Sequence, residues 1–323
     1  MGEALNVELA RALKACLQAY LDNNGQYIGN DQGGAKLCSK FLVLLAEAEN
    51  EKPEQQTFSK ATEEFIRSVT GIDTSYRNWN KFTLNTSISP SDTFRTVYEN
   101  NSKVFSMVNE KGRRTVLDIF FRDILSRPEF QQCLRIFTEY EITIQTFSEG
   151  KRRKLTGTPD YTVGLSQGQD IFCRAPPAEC HTIAVEAKVT WSDELMWQCV
   201  AGMASLHKSR KDAKKQNVSV WGILSNANIW MFFHIDEESK LWRTNEFFLD
   251  LRIYDEEKVL AIYRLMHHIF DCSLKASPAS TPASPLRIRP VQSPSSHASA
   301  QSGGGIDTTA PVTGLPGGGE QPA

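Results

Sequence analysis

The stretch Thr182-Ile-Ala-Val-Glu-Ala-Lys-Val189 decides how the rest of the chain is interpreted. Its apolar character predicts a buried strand, and successive side chains of a strand point to opposite faces. One face then carries an acid, Glu186, and a base, Lys188. Burying two opposite charges costs desolvation energy, so such a pair persists mainly where partners or a function compensate. The small residue Ala184 shares the charged face, and the apolar face consists of Ile183, Val185, Ala187 and Val189.

Composition describes a protein with a core of ordinary size. The chain has 323 residues, of which 40% are hydrophobic and 23% are charged, and its formal net charge is -2. This length is enough for one large domain or two small ones. The near-neutral total excludes a global attraction to polyanions, although clusters of basic residues can still create a local field.

The seven cysteines are odd in number, scattered, and never spaced as Cys-x-x-Cys. That usage is typical of reduced thiols inside a cell and not of a disulfide framework. Cys173, Cys180 and His181 are close enough in sequence to suggest a soft-metal site. No second pair of ligands completes a tetrahedral set, which favours plain thiols.

The sequence shows no membrane or export signal. Its first residues lack the basic start and apolar run of a signal peptide, and no apolar stretch is long enough to span a bilayer. We therefore expect an intracellular protein, nuclear or cytoplasmic, without a membrane partner.

Helical periodicity dominates the first third of the chain. Apolar residues recur at helical spacing over 5–21, 35–48 and 58–69. We predict a helical N-terminal region over 1–108. It contains no constellation of catalytic residue types and is a candidate for binding a protein partner.

The sequence pattern over 109–272 predicts an α/β domain. Its predicted elements are a helix at 110–125, strands at 139–147, 155–165 and 182–189, a helix at 194–215, a hairpin of strands at 218–224 and 229–235, and a closing helix at 255–270. Beyond residue 273 the sequence is rich in Ser, Pro, Ala and Gly. Such a composition cannot bury enough apolar area to offset ordering, so 273–323 is predicted to be a disordered tail.

The order helix, strand, strand, strand, helix, strand places Pro159-Asp160 on the second strand and Glu186-Ala187-Lys188 on the third. With these motifs the chain resembles the PD-(D/E)XK nuclease superfamily, including the nuclease domain of type I restriction enzymes and similar fungal and oomycete proteins. The resemblance covers about 109–235, under half of the chain. It implies a restriction-endonuclease-like αβββαβ core and hydrolysis of nucleic-acid phosphodiester bonds.

The triplet Glu-x-Lys alone has little weight, because the chain contains three others, Glu149-Gly150-Lys151, Glu238-Ser239-Lys240 and Glu256-Glu257-Lys258. Only the triplet at Glu186 lies in an apolar strand, after a Pro-Asp strand and before an amphipathic helix and a hairpin. The context therefore selects it.

The resemblance assigns a role to each matching residue. Asp160, Glu186 and the backbone carbonyl of Ala187 would bind Mg²⁺ or Mn²⁺, since hard cations prefer oxygen ligands. Lys188 would hold the attacking water or neutralise charge that develops on the phosphate. Two outer positions match as well: Glu110 would bind a second metal or a metal-bound water, and Gln198 would orient Lys188 or the phosphate.

Simpler interpretations remain open for each of these residues. Glu186 and Lys188 could form a structural ion pair, and Asp160 after a proline could be a turn residue. Gln198 could be an ordinary helix residue. Glu110 could be a first-turn acid favoured by the helix dipole.

Two clusters of basic residues bear on the substrate. Contacts from such residues to phosphates position a nucleic acid without reading its sequence. DNA is favoured over RNA, and the alternatives are a solvated face or, for the first cluster, a nuclear-localisation patch. The clusters comprise Lys151, Arg152, Arg153 and Lys154 between the first two strands, and Lys208, Arg210 and Lys211 near the end of the long helix.

Two rival functions belong to other classes. The first is a catalytically inactive nuclease fold that binds nucleic acid or protein. The second is an effector-like interaction protein in which the N-terminal helical region recognises the partner.

Overall fold

The structure is a computed structural model that describes residues 52–79, 82, 84–148, 151–165 and 175–276. Within them the chain is a mixed α/β protein. The strands are β1 (Glu54–Thr57), β2 (Asp73–Asn78), β3 (Leu134–Thr138), β4 (Ile142–Ser148), β5 (Lys151–Gly157), β6 (Tyr161–Leu165), β7 (His181–Ala187), β8 (Val220–Ser225), β9 (Ile229–Ile235), β10 (Lys240–Arg243) and β11 (Phe247–Phe248). The helices are α1 (Glu63–Thr70), α2 (Phe94–Val104), α3 (Glu110–Leu125), α4 (Pro128–Gln131), α5 (Asp193–Asp212) and α6 (Glu256–Lys275), with short 3-10 turns at Phe58–Lys60 and Ala178–Cys180.

The main sheet is mixed and has eight strands. Its order is β2-β10-β9-β8-β7-β6-β3, and β11 pairs with β9. The neighbours β7 and β8 are parallel because α5 carries the chain back across the sheet between them. A second, three-stranded sheet has the order β1-β5-β4.

Strand β7 is buried on both faces, as its apolar sequence predicts. Ile183, Val185 and Ala187 pack in the core that contains α3 and α6. Ala184, on the opposite face, packs in the core that contains α1 and α5. The alternation of side chains along this strand is therefore confirmed, and the charged pair of the sequence lies at its C-terminal end.

The prediction of one continuous second strand over 155–165 is wrong. It is divided into β5 and β6, and residues 158–160 lie between them. Pro159 cannot donate to a ladder, so a break here is physically reasonable. The partner strand also bends, since Glu139 has a φ of 52° and separates β3 from β4. Strands β3 and β6 consequently pair in the main sheet, whereas β4 and β5 pair in the three-stranded sheet.

The described residues before 109 contain strands as well as helices. The predicted helix at 58–69 is a 3-10 turn followed by α1, while β1 pairs with β5 and β2 pairs with β10. These pairings join the region to elements on the other side of the boundary predicted at 108. The predicted helices at 5–21 and 35–48 lie outside the described residues.

At the C-terminal side, α6 continues to Lys275, past the predicted helix end at 270 and past the predicted start of the tail at 273. Residues 277–323 lie outside the described residues. Among the helices that the structure describes, none combines the length and the apolar character needed to cross a membrane.

Candidate active site

The two halves of the sequence motif meet at the C-terminal end of β7. The backbone amide of Ala187 donates a hydrogen bond of 2.6 Å to Asp160 Oδ2. The amide of Lys188 donates to the carbonyl of Ser225 at 2.9 Å, which extends the parallel pairing with β8 by one residue. Asp160 therefore lies directly beside the triplet Glu186-Ala187-Lys188, although 27 residues separate it from Ala187 along the chain.

Glu186 is the most deeply buried charged side chain of this group, with 1% exposure. Lys188 Nζ lies 3.1 Å from Glu186 Oε2, and Gln198 Nε2, on α5, donates to the same oxygen at 3.0 Å. The other oxygen, Oε1, is buried and finds no hydrogen-bond partner among the described residues. A buried carboxylate with one orphaned oxygen is costly, so the site favours an additional proton or cation at that position.

Arg114 connects Glu110 to Asp160. The sequence interpretation did not select this arginine. Arg114 Nη2 lies 2.9 Å from Glu110 Oε1 and also bonds to Asp160 Oδ1. Its Nη1 lies 3.6 Å from Glu139 Oε1. The spacing of Glu110 and Arg114, four residues apart on a helix, was the signal that could have indicated this pair.

The electrostatics of the site follow from burial. Burial raises the pKa of Glu186 from 4.5 to about 8, and the nearby Lys188 ammonium only partly offsets that effect. Burial also raises the pKa of Asp160, against the opposing influence of the Ala187 amide, Lys188 and Arg114. For Lys188, burial disfavours the charge, but the carboxylates of Glu186 and Asp160 outweigh it and raise the pKa. Burial therefore disfavours the charged forms of both the Glu186 and the Asp160 carboxyl groups.

A divalent cation fits this donor set. Among the residues that the structure describes, no three His, Cys, Asp or Glu side chains are grouped as metal ligands. Mg²⁺ does not need such a cluster, because it keeps several of its own waters and uses one or two carboxylates. The orphaned oxygen of Glu186, the neighbouring Asp160 and the backbone of Ala187 offer oxygen ligands of the right hardness.

The first basic cluster lies in a strand and not at a hairpin tip. Lys151, Arg152, Arg153 and Lys154 are the first four residues of β5, between β1 and β4 in the small sheet. Lys151 is exposed and the other three are partly buried. Arg153 is engaged with Glu54 at 3.3 Å.

The second basic cluster divides into buried and exposed members. Arg210 is 2% exposed, and its guanidinium donates to the carbonyls of Glu179, Asn217 and Ala276 at 2.7 to 2.8 Å. Those bonds hold it inside the protein, so we exclude it from any surface that contacts phosphate. Lys208 is 7% exposed and lies 3.3 Å from Asp212, whereas Lys211 is exposed.

The soft-metal alternative gains no support from the described residues. Both nitrogens of the buried His181 are engaged, Nδ1 with Thr162 Oγ1 at 2.9 Å and Nε2 with the Pro176 carbonyl at 3.1 Å. Cys180 is buried with a free thiol. Cys173 lies outside the described residues.

Comparison with known proteins gives no family assignment. The chain matches no protein-family model and no curated protein sequence.

Proposed function

We propose that this protein is a divalent-cation-dependent nuclease of the PD-(D/E)XK type, acting through Asp160, Glu186 and Lys188. The observation that carries the proposal is the hydrogen bond from the Ala187 amide to Asp160, because it joins the Pro-Asp and Glu-x-Lys motifs in one place. The antiparallel pairing of β6 with β7 sets Tyr161 opposite Val185 and so places Asp160 beside the end of β7.

The order of elements supports a restriction-endonuclease-like core. Helix α3 precedes the bent hairpin of β3, β4, β5 and β6, and β7, α5 and β8 follow in turn. This sequence of elements corresponds to the αβββαβ arrangement that the resemblance implies. Glu110 on α3 and Gln198 on α5 approach the same end of the sheet from opposite sides.

Each residue has a role that its contacts support. Asp160, Glu186 Oε1 and the Ala187 carbonyl would hold Mg²⁺ or Mn²⁺, which when bound supplies a Lewis acid and lowers the pKa of water. Lys188 stays protonated beside Glu186 and can stabilise negative charge on a phosphate. Gln198 fixes the orientation of the Glu186 carboxylate through its amide.

Nucleic acid, with DNA favoured over RNA, is the partner that we propose for this site. The exposed basic side chains Lys151 and Lys211 are candidates for phosphate contacts, together with the partly exposed Arg152 and Lys154. Such contacts would position the substrate without reading its sequence.

The test is a cleavage assay on labelled duplex DNA, single-stranded DNA and RNA, with Mg²⁺, Mn²⁺ or EDTA. The wild-type chain should cleave at least one substrate in the presence of a metal, and Asp160→Asn and Lys188→Met should not. Lys240→Met, in the exposed triplet, is the matched control and should cleave normally. Cleavage that persists in both site variants, or a wild-type chain inert under every condition, would contradict the proposal.

A second candidate is an inactive fold that binds nucleic acid. It is favoured by one observation: Arg114 already contacts Asp160, so an internal cation neutralises a ligand that a metal would need. This candidate expects retarded migration of DNA in a gel at low salt, with no heat when Mn²⁺ is titrated into the protein.

A further inference from the structure

Arg114 occupies an unusual position, in contact with three carboxylates at once. Its Nη2 atom bonds to both Glu110 and Asp160, and its Nη1 atom lies 3.6 Å from Glu139 Oε1. The centre of the guanidinium also lies 5.9 Å from the centroid of the Tyr161 ring. The side chain is 22% exposed, so it is covered by these partners without being locked in the core.

The three acids differ in how firmly they are held. The side chain of Asp160 is 9% exposed and is fixed by the Ala187 amide, whereas Glu139 is 72% exposed and Glu110 is 37% exposed. A divalent cation bound at Asp160 would therefore meet the guanidinium beside a carboxylate that cannot move away. The two positive charges repel each other at Asp160, and Arg114 has two other carboxylates, Glu110 and Glu139, within reach.

Glu139 is positioned to receive the displaced guanidinium. It lies at the bend between β3 and β4 with a φ of 52°, and its amide donates to the Asp160 carbonyl at 3.1 Å. This backbone contact keeps Glu139 next to the site, while the exposed side chain is free to close the 3.6 Å gap to Arg114.

We propose that Arg114 is a displaceable internal cation: it holds Asp160 when no divalent cation is bound, and it moves to Glu139 when one binds. This inference rests on the proposed function, because it assumes that a divalent cation binds at Asp160. Arg114 is a positioning residue in this scheme, since it acts through Asp160. The consequence is that the protein binds its divalent cation more weakly than the carboxylates alone would allow.

The experiment is a calorimetric titration of Mn²⁺ into the wild-type chain and into variants, without nucleic acid. Removing the competing cation in Arg114→Gln should tighten Mn²⁺ binding by about tenfold, the effect of losing one hydrogen bond between charged groups. Removing the receiving carboxylate in Glu139→Gln should weaken Mn²⁺ binding about threefold. Glu139 is largely exposed, so this second variant should fold even if Arg114→Gln does not.

The double variant separates displacement from a general change in charge. If Arg114 moves to Glu139, then Glu139→Gln should have no effect on Mn²⁺ binding in the Arg114→Gln background. An equal effect of Glu139→Gln in both backgrounds would overturn the inference. So would an unchanged affinity in Arg114→Gln when the wild-type chain binds Mn²⁺, and the proposed function would survive either result. A complete absence of heat in every variant would overturn both.

Discussion

Two Glu-x-Lys triplets in this chain form the same ion pair in opposite surroundings. In the first, the side chains of Lys188 and Glu186 are 14% and 1% exposed. In the second, those of Lys240 and Glu238 are 39% and 70% exposed. The spacing of the residues therefore produces the pair in both places, but only the first pair is desolvated.

This difference in burial shows that the neighbouring elements, and not the Glu-x-Lys triplet itself, create the candidate site. Strand β7 runs through both cores, so Glu186 is buried, and α5 provides the amide of Gln198. Glu238 instead lies in the turn between β9 and β10, where water solvates its carboxylate. Each prediction below contrasts the two triplets or removes one of the surrounding contacts.

The largest expected effect is on catalysis. Glu186→Gln should lower metal-dependent cleavage by at least about a thousandfold, because the proposed function makes Glu186 a charged ligand of the divalent cation. Glu238→Gln should leave the rate unchanged. Single-turnover cleavage at saturating Mg²⁺ measures both. Comparable cleavage rates for the two variants would show that the burial of the first triplet does not matter for cleavage.

The next effect is on the pH dependence of stability, measured in EDTA. The pKa of Glu186 is raised from 4.5 in the unfolded chain to about 8 in the folded chain. Its protonated form thus stabilises the fold below pH 4.5, and that contribution is lost as the pH rises towards 8. At pH 9 Glu186→Gln should be more stable than the wild-type chain by about 5 kcal/mol, and the difference should shrink at pH 5.

Urea unfolding at several pH values provides this measurement. The comparison with Glu238→Gln cancels the contributions of the other titrating groups, including the buried histidines. A difference between Glu186→Gln and the wild-type chain that does not vary with pH would show that Glu186 is charged throughout.

A smaller effect is expected when the side-chain amide of Gln198, which contacts the buried triplet, is removed. Gln198→Ala should reduce the cleavage rate by about tenfold, because Glu186 Oε2 keeps Lys188 as a partner and loses one hydrogen bond. Gln131→Ala, at an exposed glutamine of α4, serves as the control. A loss as large as that of Glu186→Gln would indicate that Gln198 contacts the substrate itself.

The smallest effect concerns the exposed pair. Replacing both Glu238 and Lys240 by Gln should change the free energy of unfolding by no more than about 0.5 kcal/mol, with no dependence on salt, because exposed ion pairs contribute little. Urea unfolding at low and high NaCl checks this expectation. A larger loss would show that the turn between β9 and β10 depends on the pair.

The sequence predicted the elements that have a strong local signal. Helix α3 runs from Glu110 to Leu125 as its periodicity indicates, and the hairpin of β8 and β9 forms around residues 226–228. The alternation along β7 was also readable, because each of its faces is apolar except at the two charges. The resemblance matched Gln198 as a residue that would orient Lys188 or the phosphate, and in the structure its amide donates to Glu186.

Other features depend on tertiary contacts that no local pattern encodes. Pro159 could have indicated the break in the second strand, but the pairing of its two halves with different sheets could not be read locally. Arg210 carries a charge at the end of an amphipathic helix, which predicts exposure, yet three carbonyls from distant segments enclose it. Arg114 was overlooked because its partners Asp160 and Glu139 are remote in sequence.

One contact made by the region before 109 limits how far this protein can be shortened. The ring of Phe58 lies against Gly157, where an added Cβ would come within 2.3 Å of the ring, and it also approaches Gly202 of α5 beside Pro159. The aromatic ring thus packs behind the break between β5 and β6 and against α5, the helix that carries Gln198. A fragment that begins at residue 109 would keep every acid and base of the candidate site but lose the Phe58 ring, so the shortest fragment that keeps this packing starts upstream of Phe58.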